Sequence, residues 1–259
     1  MRLTFLGTGS AMPAGERFQT GLLVEASERT LLIDAGSGAL HGLARTSVGY
    51  EGVETVLLTH HHLDHVADLL PLMKARWLAG ETTLELVGPP GTERLIEGLL
   101  EVHAYMQDRI ELTVRDRPLG TGTFELAGFR VGHHPTEHSM DGLAYRLTPI
   151  DAEAGADDRP TVAYSSDSEA TTELVEFADG AAVFVHDCSF PDDVDVSGHP
   201  TPAELGRVLA AGDAALGRVY LTHLFPHTQG HHEEMLASIG ERYDGDVRIA
   251  RDGLTVEVS

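Results

Sequence analysis

Directly after the apolar run Val56-Leu57-Leu58 the chain reads Thr59-His60-His61-His62-Leu63-Asp64-His65. The spacing is His-x-His-x-Asp-His. Imidazole and carboxylate together suit zinc, and also iron or manganese. Three histidines and one aspartate within six residues exceed what a short loop can easily wrap around one tetrahedral ion, so the pattern points to two ions sharing the loop. A strand end is a rigid mount for such ligands, so the fold must bring further donors to this one edge. Three candidates occur at the ends of later β segments. His138 stands in Pro135-Thr136-Glu137-His138-Ser139, Asp167 follows Val162-Ala163-Tyr164, and His223 follows Val219-Tyr220-Leu221-Thr222. Each alone would more often be structural; with the first cluster they make seven candidate ligands, five His and two Asp.

Hydrophobic patterning fills in the frame. Short apolar runs predict strands over 2–6, 21–25, 30–34, 55–59, 83–87, 110–115, 122–126, 129–133, 143–149, 161–165, 182–186, 218–222, 246–250 and 254–258. Helical spacing covers 66–78, 93–106, 201–211 and 231–243. The acidic, Ala- and Gly-rich stretch 151–159 reads as a surface loop. No linker or internal repeat divides the chain, and 259 residues are expected to form a single domain, 1–259. Strands and helices in two similar halves predict an α/β fold of two packed sheets with helices outside.

Composition narrows the setting. Asp plus Glu number 41 and Lys plus Arg 18, for a net charge of -23. That balance is expected of a halophilic protein, and it opposes non-specific binding to polyanions. Cys188 is the one cysteine, so an intrachain disulfide is ruled out, and its neighbours Val183-Phe184-Val185 predict a buried thiol. No apolar run is long enough to cross a bilayer, and Met1-Arg2-Leu3-Thr4-Phe5-Leu6 lacks the features of a signal peptide. The expected location is cytoplasmic, with no membrane partner.

The set His60-x-His62-x-Asp64-His65, His138, Asp167 and His223, with Leu31-Leu32-Ile33-Asp34-Ala35-Gly36 upstream, resembles the metallo-β-lactamase superfamily over essentially the whole chain. The resemblance implies a four-layer αββα sandwich of two mixed sheets. It implies two divalent metal ions, with zinc favoured by ligand type and manganese or iron as alternatives. By the same resemblance His60, His62 and His138 hold the first ion, Asp64, His65 and His223 the second, and Asp167 bridges them; Asp34 supports the metal loop from behind. His at position 62, where the redox flavo-diiron branch carries a carboxylate, favours hydrolysis.

Phe5-Leu6-Gly7-Thr8-Gly9-Ser10, with Arg17 shortly after, is similar to the start of RNase Z-type phosphodiesterases. Val185-His186-Asp187-Cys188-Ser189 resembles that branch's His-Glu-Ala-Thr segment with Asp187 replacing Glu, and Gly198-His199-Pro200-Thr201 its His-Ser-Thr segment. Residues 148–160 are too short for the long arm that grips tRNA in many such enzymes. The resemblance therefore implies a dinuclear-metal hydrolase of phosphodiester bonds, a nuclease acting on RNA or DNA ends or an enzyme of a small cyclic or nucleoside phosphodiester. It implies attack by metal-bound hydroxide, Asp64 ordering the metal loop and His199, held by Asp187, protonating the leaving group. A phosphodiester substrate, RNA among the options, and a homodimer are the expected partners. The alternatives are an ester or thioester hydrolase, as in lactonases or the glyoxalase II branch, and a non-catalytic RNA-processing subunit. His61 is expected to point away from the ions, and His133 and His134 are candidates to line the cleft.

Overall fold

The computed structural model describes residues 1–150, 160–194 and 196–259. The loop expected over 151–159 lies outside them. The first sheet takes β1 (Arg2–Gly7), β2 (Gly21–Ala26), β3 (Arg29–Ile33), β4 (Thr55–Leu57), β5 (Thr83–Gly88) and β6 (Glu111–Asp116). The second takes β7 (Gly122–Leu126), β8 (Phe129–Pro135), β9 (Leu143–Pro149), β10 (Val162–Tyr164), β11 (Val183–Asp187), β12 (Arg218–Thr222) and β13 (Asp246–Ile249). The last strand, β14 (Thr255–Glu257), returns to the first sheet beside β1. The orders are β14-β1-β2-β3-β4-β5-β6 and β13-β12-β11-β10-β9-β8-β7. Each sheet is mixed: β3 to β6 run parallel, as do β10 to β13, and the other pairs are antiparallel.

Three apolar layers hold the sandwich. Alternate residues of one strand point to opposite faces. Leu3 and Phe5, Leu22 and Val24, and Leu31 and Ile33 therefore enter the space between the sheets, where they meet Val131, Tyr145, Leu147, Tyr164 and Val185. Phe5 and Tyr220 close the gap ring to ring, with centroids 5.4 Å apart. Their neighbours Leu6, Leu23 and Leu32 face outward onto α1 (Ala39–Leu43), α2 (Leu63–Val66), α3 (Leu69–Ala79) and α4 (Thr92–Val102). Behind the second sheet, Phe184, Val219 and Leu221 pack on α5 (Thr172–Phe177), α6 (Pro202–Ala211) and α7 (His232–Gly240). Strands buried on both faces read as continuous apolar runs, which is why Leu31-Leu32-Ile33 shows no alternation. Cys188 lies in the layer behind the second sheet, and burial raises its thiol well above the usual range.

The helices depart from expectation near the site. The helix predicted over 66–78 forms as α3, three residues late, and a separate short helix, α2, precedes it. The four-residue α2 carries Asp64 and His65, and α3 starts only at Leu69. Between them, the Asp68 amide donates to the Ala35 carbonyl at 2.8 Å. The Asp68 carboxylate accepts the Gly38 and Leu40 amides at 2.9 Å each. These long-range bonds hold the joint and pin the metal loop to the turn after β3. The helix predicted over 93–106 ends at Val102 and is followed by a 3-10 turn at Ala104–Met106. Two short helices, α1 and α5, were not expected. Among the described residues no helix is long and apolar enough to cross a membrane.

Candidate metal centre

The parallel halves of both sheets deliver the candidate ligands to one edge. His60, His62, Asp64 and His65 follow β4, Asp167 follows β10 and His223 follows β12, while His138 comes from the loop between β8 and β9. The two sheets are tied at this edge. The Leu143 amide donates to the Thr59 carbonyl at 2.9 Å, and the Tyr145 hydroxyl donates to the Leu58 carbonyl at 2.8 Å.

All seven candidate ligands come together, in two groups that share Asp167. His60, His62, His138 and Asp167 form one, and Asp64, His65, Asp167 and His223 the other, with one donor atom from each residue within 4.8 Å of the rest of its group. His60 Nε2 lies 3.1 Å from His62 Nδ1, which lies 3.2 Å from His138 Nε2. Ring nitrogens at about 2.0–2.1 Å from one tetrahedral zinc would be separated by a little over 3 Å, so these three nitrogens suit a shared cation. Asp167 Oδ2 lies 3.1 Å from His223 Nε2, 3.3 Å from His65 Nε2 and 3.6 Å from His60 Nε2, and its buried Oδ1 has no hydrogen-bond partner. His223 Nε2 is also 3.0 Å from Asp64 Oδ2. The donor set and the orphaned carboxylate oxygen fit divalent cations.

Electrostatics agree. Burial and the neighbouring His65 hold His60 well below the usual imidazole range, which keeps a lone pair available. Burial disfavours charge on Asp167, but His223 and His65 outweigh it and hold the carboxylate ionised, well below its usual range. Burial likewise opposes a charge on His65, yet Asp167 and Asp34 raise it well above normal.

In His60, His65, His138 and His223 the remaining ring nitrogen, Nδ1, is tied to a protein oxygen, which fixes the tautomer and aims Nε2 inward, whereas His62 faces the cluster through Nδ1. His65 Nδ1 donates to Asp34 Oδ2 at 2.8 Å. His60 Nδ1 pairs with Thr59 Oγ1 at 3.0 Å, His138 Nδ1 donates to the Gly198 carbonyl at 3.1 Å, and His223 Nδ1 pairs with Ser189 Oγ at 2.9 Å. Asp34 also accepts the Thr59 amide at 2.8 Å and the Thr59 hydroxyl at 2.7 Å. It thus holds both ends of the loop, and adopts a left-handed φ of 58° to do so. Gly36 follows two residues on because a Cβ there would collide with the Asp64 carbonyl. Asp34→Asn, which keeps the shape but loses the charge that pairs with His65, is expected to weaken metal affinity about 10–100-fold; competition with a colorimetric chelator measures it.

Beside the second group lies the pair His199 and Asp187. His199 Nδ1 donates to Asp187 Oδ2 at 2.6 Å. Burial opposes a charge on His199, but Asp187 prevails and raises the imidazole to about 9. The His199 ring stacks on His223, with centroids 5.3 Å apart and planes 12° apart. Thr201 also caps α6 in a reciprocal capping box with Glu204, with Pro202 at the first turn, so the segment after His199 is anchored by the helix it starts. Ser189 was not singled out in the sequence. Its hydroxyl donates to Asp187 Oδ1 at 2.6 Å while facing His223 Nδ1, so one side chain links the pair to the metal group. No local pattern marks it, because its role arises only where β11 and β12 end side by side.

The other histidines lie outside the cluster. His61 turns away and pairs through Nε2 with Thr92 Oγ1 at 2.8 Å, at the start of α4. His133 packs against Phe124, and His134 against Phe177. Neither joins the candidate ligand groups. His231 stands at the N-terminal end of α7 without a side-chain capping bond, and pairs with Glu234 instead.

A two-sheet αββα sandwich with His and Asp clusters at one edge is the architecture of a metal-dependent hydrolase of the metallo-β-lactamase fold, and the relatives named below place it in the RNase Z-like branch. The chain belongs to the family described as Anti-Pycsar protein Apyc1, whose sequence profile matches residues 1–237. It is similar to the probable metallo-hydrolase YhfI of Bacillus subtilis, 30% identical over 99% of this chain and 100% of the relative. It is also similar to ribonuclease Z of Haloferax volcanii, 28% identical over 100% of this chain and 95% of the relative. The crystal structure of YhfI superposes with a TM-score of 0.82 over 98% of both chains at 26% identity. That of human tRNase Z, short form, gives 0.79 over 100% of both at 19% identity, a likeness of fold.

Proposed function

We propose that the chain is a phosphodiesterase with two metal ions, zinc favoured, acting on RNA or DNA ends or on a small cyclic or nucleoside phosphodiester. The observation that carries this reading is the His199–Asp187 pair set against the ligand cluster. A proton donor beside the metal groups serves an alkoxide leaving group. The names of the ribonuclease Z relatives support the same bond type.

His60, His62, His138 and Asp167 would hold one ion, and Asp64, His65, His223 and Asp167 the other. When bound, the ions would neutralise the charge of the diester and lower the pKa of a water. They would also let a chain of net charge -23 accept an anion. Asp34, Thr59, Ser189 and Gly198 keep the imidazoles oriented, so little rearrangement is needed as substrate arrives. With Nδ1 held by Asp187, His199 is protonated at neutral pH and presents Nε2. As the bond from water oxygen to phosphorus forms and the bond to the leaving oxygen breaks, His199 Nε2 passes its proton to that oxygen. Asp187 stabilises the imidazolium before transfer and holds the neutral ring afterwards.

The reading is tested by offering bis(p-nitrophenyl) phosphate, a lactone and a thioester to the metal-loaded protein, at low and at multimolar salt. The acidic composition leads us to expect the higher rate in salt, and light scattering on the same samples checks the expected homodimer. Diester turnover abolished by chelator is the predicted result. Ester or thioester turnover without diester turnover would move the chain to the lactonase or glyoxalase II side.

A further inference from the structure

Glu169 lies two residues past Asp167, and the proposed reaction gives it no role. Its half-buried carboxylate nonetheless reaches across the site. Glu169 Oε1 accepts the Gly198 amide at 2.5 Å. Gly198 is the residue before His199, and its carbonyl accepts from His138 Nδ1 at 3.1 Å. On the other side, the Glu169 amide donates to the Glu137 carbonyl at 3.0 Å, and Ser168 Oγ accepts the Glu137 amide at 3.0 Å. Three segments are laced together in this way: 137–138, 168–169 and 198–199.

Gly198 is the closest point of the lacing. Its φ is 91°, in the region that favours glycine, and a Cβ there would sit 2.9 Å from His138 Nδ1. The peptide before His199 must therefore pass against the His138 ring, and its amide needs an acceptor in a buried place. Glu169 supplies it. On its far side His199 is fixed by the capped start of α6. On the near side, the turn is held by the Gly198–Glu169 bond, by the His138 bond to the Gly198 carbonyl, and by a backbone bond from the His199 amide to the Val196 carbonyl at 3.2 Å. Asp187 orients the ring but does not set where the backbone sits, since Asp187 is itself held from β11 by Ser189 and the Ser168 amide.

We propose that Glu169 is a positioning residue for the proton donor: through the Gly198 amide it sets the distance of His199 from the leaving group. The inference rests on the reading of His199 as that donor. A carboxyl or a neutral amide oxygen can each accept the bond, so the role needs the acceptor rather than the charge. A displacement of about 1 Å at a reacting group can cost about 10²-fold in rate, and proton donation matters most where the leaving oxygen is most basic.

The test uses the metal-loaded full chain and a series of thymidine 5′-aryl phosphate diesters, from p-nitrophenyl to unsubstituted phenyl. Wild type, His199→Ala, Glu169→Ala and Glu169→Gln are compared, with bound metal counted by elemental analysis. His199→Ala should lose far more rate with phenyl than with p-nitrophenyl. Glu169→Ala should show the same dependence on leaving group in weaker form, about tenfold on kcat for the phenyl ester, with metal content and KM unchanged. Glu169→Gln should return to within about twofold of wild type. Equal losses on all esters in Glu169→Ala, loss of metal, or failure of Gln to rescue would overturn the positioning role while His199 keeps its own. A flat dependence in His199→Ala would instead remove the donor reading itself, and this inference with it.

Discussion

Asp167→Ala is expected to abolish metal-supported turnover, by more than about 10³-fold, and to lower the bound metal count in the same preparation. Asp167 is the one side chain common to both ligand groups, and its Oδ2 lies within 3.6 Å of His60, His65 and His223 nitrogens. With the carboxylate gone, the remaining rings present neutral or positive nitrogens to one another. The cluster then loses the charge that makes two cations affordable in one small volume. A ligand that binds only the folded state raises its stability, so the thermal midpoint gained on adding zinc to wild type should shrink or vanish in the variant. A preparation that still held two ions and turned over within tenfold of wild type would remove Asp167 from the centre of the site.

His199→Ala is expected to behave in the opposite way: both ions kept, and turnover lowered by about 10²–10⁴-fold on a diester with a basic leaving group. Its Nδ1 bond goes to Asp187, and it makes ring contacts with His138 and His223, but it contributes to neither four-residue ligand group. Elemental analysis and a steady-state assay on one sample separate the two variants. Loss of metal in His199→Ala would show that its stacking on His223 supports the centre rather than the reaction.

The seven candidate ligands could be picked out in the sequence because four fall within six residues and the others follow later β segments; their division into two groups was implied by the family resemblance. The strands were legible in apolar runs such as Leu31-Leu32-Ile33, but their layering into a two-sheet sandwich does not follow from periodicity and was implied by the family resemblance. What stayed hidden depends on contacts between distant residues. Asp68, at the joint between α2 and α3, bonds amides about 30 residues away, at Gly38 and Leu40. Ser189 and Glu169 are ordinary polar residues in the linear chain. They gain a role only when β10, β11 and β12 end together. The short helix α5 has a local signal in Thr171, whose hydroxyl accepts the Leu174 amide at 3.2 Å. A polar residue before four or five apolar-spaced positions is a weak cue without the sheet it packs on.

Stripping the protein with chelator in multimolar salt and titrating zinc back, while following bis(p-nitrophenyl) phosphate hydrolysis, shows whether the His and Asp cluster holds two ions that support diester hydrolysis. The stripped protein should show no turnover, with activity rising to a plateau at two equivalents per chain. Turnover that survives stripping, or a fully loaded protein that leaves the diester intact, would contradict that role of the cluster.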